Sequence, residues 1–384
     1  MQPDALNLRH LASLAATARL GSLSAAAQAI SLTQPALTQG LAKLERQFGE
    51  PLFERRPGGM VATLPTQVLA PRIEAALAYI ASPRVTLAQM RALIALADAG
   101  SYLGASVATG LSQPTLHRAV GDLSIGLRRV LVERRGKGIA FTDAGRRTVR
   151  AFRLARAELV AGLSEVAALR GRETGRITVG AMPLSRARLL PAAVTAFYRA
   201  HGQVQIRIVE GSHAELLEPL RDGDIDLLIG ALRSPAPGDD VVQVPLFEDQ
   251  PVVIARAGHP LAKTRDLTPA RLAAYPWTIS APGTPLRLLW ERIFARAGIP
   301  LPPVPVECGS VITIRQMLLD SDFLTLLSPD QVAVELEAGW LTQVGAPSAE
   351  LRRTIGITTR SGWRPTGMQQ NFVDRLNASL SQTL

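Results

Sequence analysis

The chain has 384 residues, 47% of them hydrophobic. This length is enough for about two to four domains, each with its own core. The hydrophobic content excludes an intrinsically disordered protein. No apolar run reaches the roughly 18–20 residues of a membrane span, and the N-terminal stretch has no signal-peptide core, so we expect a cytoplasmic protein without a membrane partner. The net charge of +10 lies in residues 1–172, which hold 22 Lys and Arg against 11 Asp and Glu, and it predicts a polyanion partner for that half.

The chain also contains an internal repeat. Residues 8–63 align without a gap on residues 87–142, which lie 79 positions further along. Roughly a third of the aligned pairs are identical, and the segment Gln34–Leu37 falls on Gln113–Leu116. A repeat of this kind defines units of the fold, so we expect two related domains in the basic half.

The first copy has the helix order of a helix-turn-helix. Apolar residues from Leu8 onward recur at helical spacing, and Gly21 ends that helix. An alanine-rich helix follows, and Thr33 then caps a third helix whose apolar stripe runs from Leu37 to Phe48. The polar face of this third helix suits the major groove of DNA. A basic hairpin after the helix would form a wing that binds phosphates. The alternative is an ordinary helical bundle with a solvated polar face; the repeat and the charge favour DNA binding.

A colinear motif runs through this copy: Gly21-Ser22-Leu23-Ser24, Thr33-Gln34-Pro35-Ala36-Leu37 and Gly49-Glu50-Pro51-Leu52-Phe53. It closely resembles the winged helix-turn-helix of LysR-type transcriptional regulators, in which the Gln-Pro turn, the polar positions after it and the wing contact DNA. With Lys43, which falls on the same polar face, the expected DNA-binding residues are Gln34, Pro35, Thr38, Gln39, Lys43, Arg55 and Arg56. The corresponding residues of the second copy are Gln113, Pro114, His117, Arg118, Arg134, Arg135 and Lys137.

The second copy matches the family less well. Ser124 replaces the usual Glu, and Gly104 lies inside its second helix at a cost of about 1 kcal/mol relative to Ala. No second ligand accompanies His117 at a useful spacing, so we expect no metal site there. We therefore expect the first copy, in residues 1–82, to read sequence. The second, in residues 83–145, would be partly a structural adaptor.

The segments that follow the two copies differ. After the first copy, a short helix is bounded or interrupted by Pro65, Pro71 and Pro83, and a capping box of Thr86 and Gln89 begins the next unit. Residues 146–173 contain no proline and keep an apolar seam at a spacing near 3.5 residues. The seam consists of Val149, Phe152, Leu159, Leu163 and Val166. LysR-type regulators dimerise through a linker helix at this place, so the resemblance implies a homodimer or homotetramer, with four winged units in a dimer. The alternative is a helix packed on its own domain.

From residue 174 onward, short apolar runs alternate with helical segments, which predicts βαβ units on a mostly parallel sheet. The predicted strands are Ile177–Gly180, Val204–Val209, Asp226–Ile229, Val252–Ala255, Trp277–Ser280, Val304–Glu307 and Phe323–Leu327. The run Gly223-Asp224-Ile225-Asp226-Leu227 resembles the effector domain of LysR-type regulators. The resemblance implies a two-lobed α/β fold like that of periplasmic binding proteins. One lobe would be formed by residues 174–247 and 351–384, and the other by residues 248–350.

Open parallel sheets bind ligands at the carboxyl ends of their strands, so the βα turns of this domain are the candidate effector cleft. Backbone N–H groups at helix starts favour a small anion, often a carboxylate. Plain helix capping is the alternative for each hydroxyl. The candidate residues are Met182, Pro183, Ser185, Ser212, Arg233, Ser280, Thr284 and Ser310.

Together these features predict two winged helix-turn-helix units, a linker helix and an effector domain. The chain would bind double-stranded DNA under the control of a small-molecule effector, with RNA polymerase left open as a further partner. The rival hypothesis is a small-molecule binding protein whose winged units serve assembly rather than DNA reading. We expect neither an enzyme nor a cofactor, because the carboxylates and histidines lie in separate segments without a nucleophile elbow, phosphate loop or metal-ligand spacing.

Overall fold

The computed structural model describes residues 3–136, 138–172, 175–264, 266–345 and 351–383. The chain divides into two units, Met1–Gly175 with Asp222–Asp224 and Arg176–Arg221 with Ile225–Leu384. The first unit is helical with two small hairpins, and the second is α/β. The predicted fold class, helix-turn-helix units followed by an α/β domain, is confirmed.

The first unit contains the same series of elements twice. A short 3-10 helix, Pro3–Ala5, precedes them. The first series is α1 (Leu8–Leu20), α2 (Leu23–Ala29), α3 (Gln34–Phe48), β1 (Phe53–Arg56), β2 (Gly59–Ala62) and α4 (Leu64–Ile80). The second is α5 (Leu87–Ala99), α6 (Tyr102–Thr109), α7 (Gln113–Leu127), β3 (Val132–Arg135), β4 (Gly138–Phe141) and α8 (Asp143–Ala168). Equivalent elements begin 79 residues apart, so the duplication extends past the sequence repeat to include α4 and α8. We call residues 8–62 the first head and residues 87–141 the second head.

Local chemistry explains where these helices begin and end. Gly21 ends α1 in the left-handed conformation, and its N–H donates to the Thr17 carbonyl. Thr33 caps α3 by accepting a hydrogen bond from the N–H of Ala36. The capping box predicted at the start of α5 is present. These signals lie within a few residues of each other, which is why the sequence predicts them.

The segment after the first head is one continuous helix, so the expected interruption at Pro71 was wrong, whereas Pro65 and Pro83 lie at the two ends of the helix as expected. Pro65 lies in the first turn of α4, where no N–H donor is needed, and α4 continues through Pro71. A proline inside a helix costs about 3 kcal/mol. Burial of each large aliphatic side chain contributes about 1.5–3 kcal/mol, and α4 buries Leu69, Ile73 and Ile80. This packing outweighs the proline.

One hydrophobic core runs through the whole first unit. It joins Leu14 and Leu37 of the first head to Leu93 of the second head and to Ile73 and Phe152 of the two following helices. Helix α4 packs along α8, α5 also contacts α8, and the 3-10 helix contacts both α5 and α8. The two heads therefore share one core instead of each closing around its own.

The apolar seam of α8 is covered within the chain. Val149, Phe152, Leu159 and Val166 are buried, and Leu163 packs against the same core. Helix α4 lies against this surface. The seam was expected to contact a second chain, whereas in the structure the equivalent helix of the same chain covers it. The alternative of a helix packed on its own domain describes this surface correctly, because the apolar positions are buried there.

The second unit contains two lobes. Its strands are β5 (Arg176–Ala181), β6 (Gln205–Glu210), β7 (Leu227–Ala231), β8 (Val241–Asp249), β9 (Val252–Arg256), β10 (Thr278–Ile279), β11 (Val306–Glu307), β12 (Thr325–Leu327), β13 (Leu341–Gln343) and β14 (Arg353–Arg360). Its helices are α9 (Leu189–Ala200), α10 (His213–Asp222), α11 (Pro269–Ala273), α12 (Pro285–Arg296), α13 (Val311–Leu319), α14 (Ala333–Glu337) and α15 (Gly367–Thr383), with 3-10 helices at Pro183–Arg186 and Pro329–Val332.

The sheets of the second unit are mixed. The first lobe has a five-stranded sheet in the order β6-β5-β7-β14-β8, in which β5, β6 and β7 are parallel and β14 is antiparallel to both neighbours. The second lobe has an antiparallel sheet, β12-β9-β13, and a parallel pair, β10-β11. The expectation of a mostly parallel sheet was therefore too simple. It missed β8, β13 and β14. Of these, β8 is an edge strand whose residues are mostly exposed or half-buried and include Pro245, so no long apolar run marks it.

Aromatic side chains fill the cores of both lobes. In the first lobe, Phe197 of α9 meets Phe372 of α15 edge to face, with ring centroids 5.6 Å apart. In the second lobe, Trp277, Trp290 and Phe294 form an edge-to-face cluster and none of the three is accessible to solvent. These contacts hold the helices of each lobe against its sheet.

Candidate nucleic-acid interface and effector site

The predicted DNA-binding residues of α3 share one exposed face. Gln34, Pro35, Thr38, Gln39 and Lys43 are all exposed. The opposite face is buried through Leu37, Leu41, Leu44 and Phe48. The Thr38 hydroxyl donates to the Gln34 carbonyl at 2.9 Å, so toward DNA this oxygen can act only as an acceptor. Helix α3 thus presents hydroxyl, amide and ammonium groups to solvent.

The first wing is the β1–β2 hairpin, and it is attached to the end of α1. The N–H of Met60 donates to the Gly21 carbonyl at 2.7 Å. Gly59 has a φ of 125°, and a Cβ at this position would lie 2.4 Å from the same carbonyl oxygen, so only glycine fits. Arg55 and Arg56 are exposed; Arg56 pairs with Glu54 at 2.8 Å, and Arg55 has no carboxylate partner among the described residues. Arg55 is therefore the freer of the two phosphate-binding candidates.

The second head presents the corresponding residues in the same way. Gln113, Pro114, His117 and Arg118 are exposed at the start of α7. The ring of His117 stacks on that of Tyr102 in α6, with centroids 3.5 Å apart and planes inclined by 19°, which fixes the imidazole orientation. Two further predicted residues, Arg134 and Arg135, are exposed on β3, whereas Lys137 lies outside the described residues.

Equivalent positions on α3 and α7 carry different chemical groups. Thr38, Gln39 and Lys43 of α3 correspond to His117, Arg118 and Asp122 of α7. An ammonium group favours phosphate or guanine, whereas a carboxylate repels phosphate and accepts a hydrogen bond from cytosine N4. The two helices therefore suit different base sequences.

Two exposed arginines beside the second wing were not among the predicted site residues. Arg128 follows α7 in the left-handed conformation, and the N–H of Arg129 donates to the Ser124 carbonyl. The equivalent positions of the first head hold Gly49 and Glu50. The second head thus has two additional cations next to its wing. The dibasic pair was visible in the sequence, but only the structure shows both side chains exposed.

The predicted effector-site residues of the first lobe lie at one edge of its sheet. Met182, Pro183 and Ser185 follow β5, Ser212 follows β6, and Arg233 follows β7. These three strands are parallel neighbours, so their carboxyl ends meet at the same edge. The hydroxyls there have local partners. Ser185 donates to the Met182 carbonyl, and Ser212 donates to the Glu215 carboxylate, each at 2.8 Å.

Arg233 stands out at this edge because of its charge. Its backbone N–H donates to the side chain of Gln243 at 2.8 Å, and its Nη1 is buried without a hydrogen-bond partner among the described residues. Burial lowers the pKa of Arg233 below its ordinary value, and the charge of Arg353 adds to this effect. Arg353 is itself paired with Asp249 at 2.6 Å. A partly desolvated guanidinium without a counter-ion favours an incoming anion.

His213 begins α10 close to this guanidinium. Burial, followed by the charges of Arg233 and Arg221, lowers the pKa of His213 to about 4. The imidazole is therefore neutral at pH 7, and its Nε2 is buried without a hydrogen-bond partner among the residues that the structure describes. The sequence places His213 in the βα turn that follows the second strand of this edge, but it does not predict the lowered pKa, because the shift arises from packing between segments distant in sequence.

The predicted residues of the second lobe form a separate group. Strands β10 and β11 are parallel, and Ser280 and Ser310 follow their carboxyl ends. The hydroxyl oxygens of Ser280 and Thr284 are 2.8 Å apart. Thr284 and Ser310 also cap α12 and α13, as the capping alternative predicts. The candidate effector residues thus form two groups, one in each lobe.

The described part of the chain contains no group of three or more His, Cys, Asp or Glu side chains placed to hold a metal ion. No single helix there is both long and apolar enough to cross a membrane. In the same part of the chain, only α5 and α6 taken together are long and apolar enough, and the two helices are bent by 120° relative to each other.

Exposed recognition helices and wings, joined to a two-lobed α/β domain, define the class of ligand-responsive DNA-binding regulators. The family model described as bacterial regulatory helix-turn-helix protein, lysR family, matches residues 8–66 and again residues 87–146. The model described as LysR substrate binding domain matches residues 170–381. The chain belongs to the LysR family of transcriptional regulators. It is a DNA-binding regulator whose activity is modulated through its effector-binding domain.

Individual proteins agree with this assignment. The chain is 33% identical over 369 residues to the regulator GalR of Pseudomonas putida, covering 93% of each chain. It is 32% identical over 263 residues to CbbR of Xanthobacter flavus, covering 68% of this chain and 78% of that one. The fold is similar to that of LysG from Corynebacterium glutamicum with bound effector Arg, at a TM-score of 0.55 and 22% identity over 77% of this chain and 98% of that one. The match to GalR is long enough to include both heads.

Proposed function

We propose that both heads bind duplex DNA through the exposed faces of α3 and α7 and through the two wings, so that the second head reads DNA in addition to any role as a structural adaptor. The observation that carries this proposal is that the predicted DNA-binding residues, Lys137 excepted, are exposed on equivalent faces of the two heads. Basic side chains of the wings would hold phosphates, and the polar residues of α3 and α7 would contact base edges. The basic charge of residues 1–172 supports the same role.

Two substitutions in the full-length chain test the proposal. Arg55→Ala should weaken binding to all duplexes and reduce the slope of log K against log salt by about 1. Gln34→Ala should cost about 1–3 kcal/mol and relax the preference at one base position. Arg207→Ala, an exposed arginine on β6 of the second unit, is the control and should change neither quantity. If the winged units served assembly alone, all three variants would bind DNA like the unaltered protein.

We further propose that the effector is a small organic anion bound beside Arg233. The support is the buried Nη1 of Arg233, which has no hydrogen-bond partner in the described part of the chain, and the lowered pKa of the neighbouring His213. A panel of small carboxylic acids, neutral amides and amines can be screened by thermal unfolding followed by tryptophan fluorescence. Carboxylic acids should raise the unfolding temperature of the unaltered chain and not that of the Arg233→Ala variant. Stabilisation by amines or amides alone would contradict this assignment.

We propose the following domain boundaries: the winged units are residues 1–82 and 83–145, the linker helix is residues 146–173, and the effector domain is residues 174–384. We further propose that the protein is a regulator without enzymatic activity. As a regulator of transcription, the protein would act on DNA in the cytoplasm as a homo-oligomer. Contact with RNA polymerase would be one route from effector binding to transcription. Sedimentation of the full-length chain with and without operator DNA would separate dimer from tetramer.

A further inference from the structure

We propose that the first unit is a two-headed DNA reader built from a single chain. Helices α4 and α8 pair with each other inside that chain, so one chain presents two unlike heads to one duplex. The corresponding operator contains two different half-sites. This inference rests on the proposed DNA-binding role of both heads.

The pairing uses equivalent faces of the duplicated helices. Residues Leu69, Ile73, Ala76 and Ile80 of α4 correspond, 79 positions on, to Thr148, Phe152, Ala155 and Leu159 of α8. All eight side chains are buried. A face buried against its own equivalent is the arrangement of a two-fold symmetric interface, which in most proteins is formed by two chains. Here gene duplication supplies both halves within one chain.

A charged contact makes α4 a better partner for α8 than a second α8 would be. Arg72 of α4 is 6% exposed and pairs with Glu165 at 2.6 Å and with Glu158 at 3.1 Å. The position of α8 equivalent to Arg72 holds Ala151. An α8–α8 pair between two chains would therefore lack the contact that Arg72 makes with these carboxylates, which favours the α4–α8 pairing.

The backbones also approach closely at this point. A Cβ at Gly162 of α8 would lie 2.8 Å from Cδ1 of Leu69 and 3.0 Å from Cβ of Arg72. Glycine at position 162 thus permits the close packing that brings Arg72 between the two carboxylates. The glycine, the arginine and the glutamates form one contact that specifies the pair.

The two helices run in opposite directions between the heads. Helix α8 begins at the second head, where the N–H of Thr142 donates to the Leu131 carbonyl at 3.1 Å. Beyond its other end, Arg170 donates to the Phe48 carbonyl of the first head at 2.5 Å and pairs with Glu50. Helix α4 begins at the first head, where Thr66 donates to the Leu52 carbonyl at 2.6 Å.

The length of this pair matches the dimensions of DNA. Helix α8 has 26 residues, which corresponds to about 39 Å at 1.5 Å per residue. Half-sites that are one turn apart on B-DNA are separated by roughly 34–36 Å. Two heads at opposite ends of α8 therefore suit half-sites about one helical turn apart.

The two heads do not carry the same reading residues, so the half-sites should differ. In a dimer of identical single-headed chains, symmetry requires two identical half-sites. Here Lys43 in one head is replaced by Asp122 in the other, and Gln39 is replaced by Arg118. One chain would then define the orientation of the operator as well as its sequence.

Head-specific substitutions in the full-length chain test the reading mode. Base-resolved interference mapping on a selected operator should show Lys43→Ala losing contacts at one half-site only and Arg118→Ala at the other only. An operator with two identical half-sites would overturn the inference while leaving the proposed function intact. An Arg118→Ala variant with unchanged contacts would overturn the inference and also the proposed contact of α7 with DNA. Absence of duplex binding by the unaltered chain would contradict the proposed function itself.

A disulfide tests the pairing independently of DNA. In a Cys308→Ser background, Arg72→Cys with Gly162→Cys places two thiols whose Cβ atoms are about 3.0 Å apart, within a small shift of the mean disulfide value of about 3.8 Å. Oxidation should give a crosslinked chain of monomer mass under denaturing conditions, and each single-cysteine variant should give none. A crosslinked dimer, or a double variant that does not crosslink, would overturn the single-chain pairing.

Discussion

The substitution Arg72→Ala removes the cation at the centre of the α4–α8 contact. Burial alone would lower the pKa of Arg72, but the hydrogen bonds and charges of Glu165 and Glu158 outweigh burial and raise the pKa above its ordinary value. The guanidinium therefore stays charged and holds both carboxylates. Its removal leaves the carboxylates of Glu158 and Glu165, both on α8, facing α4 without this cation, so we expect the first unit to lose stability.

The magnitude follows from the exposure of the three side chains. Removing one partner of a fully buried ion pair costs about 3–5 kcal/mol. The side chain of Arg72 is 7% exposed, whereas those of Glu158 and Glu165 are 14% and 19% exposed and can turn partly toward water. We therefore expect a loss below that range, of about 2–3 kcal/mol. With a urea m-value of about 2 kcal/mol/M, the midpoint should fall by about 1–1.5 M.

Two spectroscopic probes assign this loss to the correct unit. All four tryptophans, Trp277, Trp290, Trp340 and Trp363, lie in the second unit, so tryptophan fluorescence follows that unit alone. Far-UV circular dichroism includes the helices of the first unit. In urea, Arg72→Ala should shift the circular-dichroism transition of the first unit and leave the fluorescence transition in place.

Two further variants separate the charge effect from general damage. In the triple variant Arg72→Met with Glu158→Gln and Glu165→Gln, no buried charge lacks a partner, and most of the lost stability should return. Arg207→Ala in the second unit should leave the circular-dichroism transition unchanged. If Arg72→Ala also leaves that transition unchanged, the ion-pair contact does not hold the two heads together and the reasoning fails.

Three more predictions concern single positions. Gly162→Val should lower the free energy of unfolding of the first unit by about 1–3 kcal/mol in urea, because the new side chain would clash with Leu69. Gly121→Ala is the control: its methyl group would meet nothing within 4 Å, and it should raise that free energy by up to about 1 kcal/mol. Equal effects of the two substitutions would contradict the packing argument. Gly59→Ala should displace the wing and weaken duplex binding in a titration at low salt, whereas Gly58→Ala meets nothing within 4 Å and should not. Because the folded pKa of His213 is about 4 and its ordinary value is 6.5, the unfolded chain binds the extra proton between these values. The free energy of unfolding of the second unit should therefore fall as the pH drops from 6.5 toward 4, and His213→Gln should reduce that slope in fluorescence-monitored urea titrations; an unchanged slope would contradict the assignment.

The sequence predicts the heads well because their signals are local. The cap at Thr33, the terminating Gly21 and the capping box of Thr86 and Gln89 each act over a few residues, and the structure has all of them. The exposed faces of α3 and α7 follow from helical periodicity in the same way. The repeat made the second head recognisable even though its own sequence departs from the family pattern.

The pairing of α4 with α8 could not be predicted in this way. Pro71 indicates a broken helix, and Glu158 and Glu165 are typical of a solvated helix face. Only the tertiary arrangement places Arg72 between those carboxylates and buries the seam of α8 against the same chain. Sequence periodicity shows that a face is apolar; it does not show which element covers it.

The effector site could be predicted from the sequence only in part. Parallel strands place Ser212 and Arg233 at one edge, which the alternation of strands and helices predicts. The buried Nη1 of Arg233, which has no hydrogen-bond partner among the described residues, and the lowered pKa of His213 depend on packing among segments far apart in sequence. They distinguish the first-lobe edge from the hydroxyl caps of the second lobe.

The most direct test of a single-chain, two-headed reader is selection of binding sites from random duplex DNA by the full-length protein. The structure predicts an asymmetric motif with two different half-sites about one helical turn apart, and Arg118→Ala should relax only one of them. An inverted repeat of two identical half-sites that is unaffected by Arg118→Ala would contradict it.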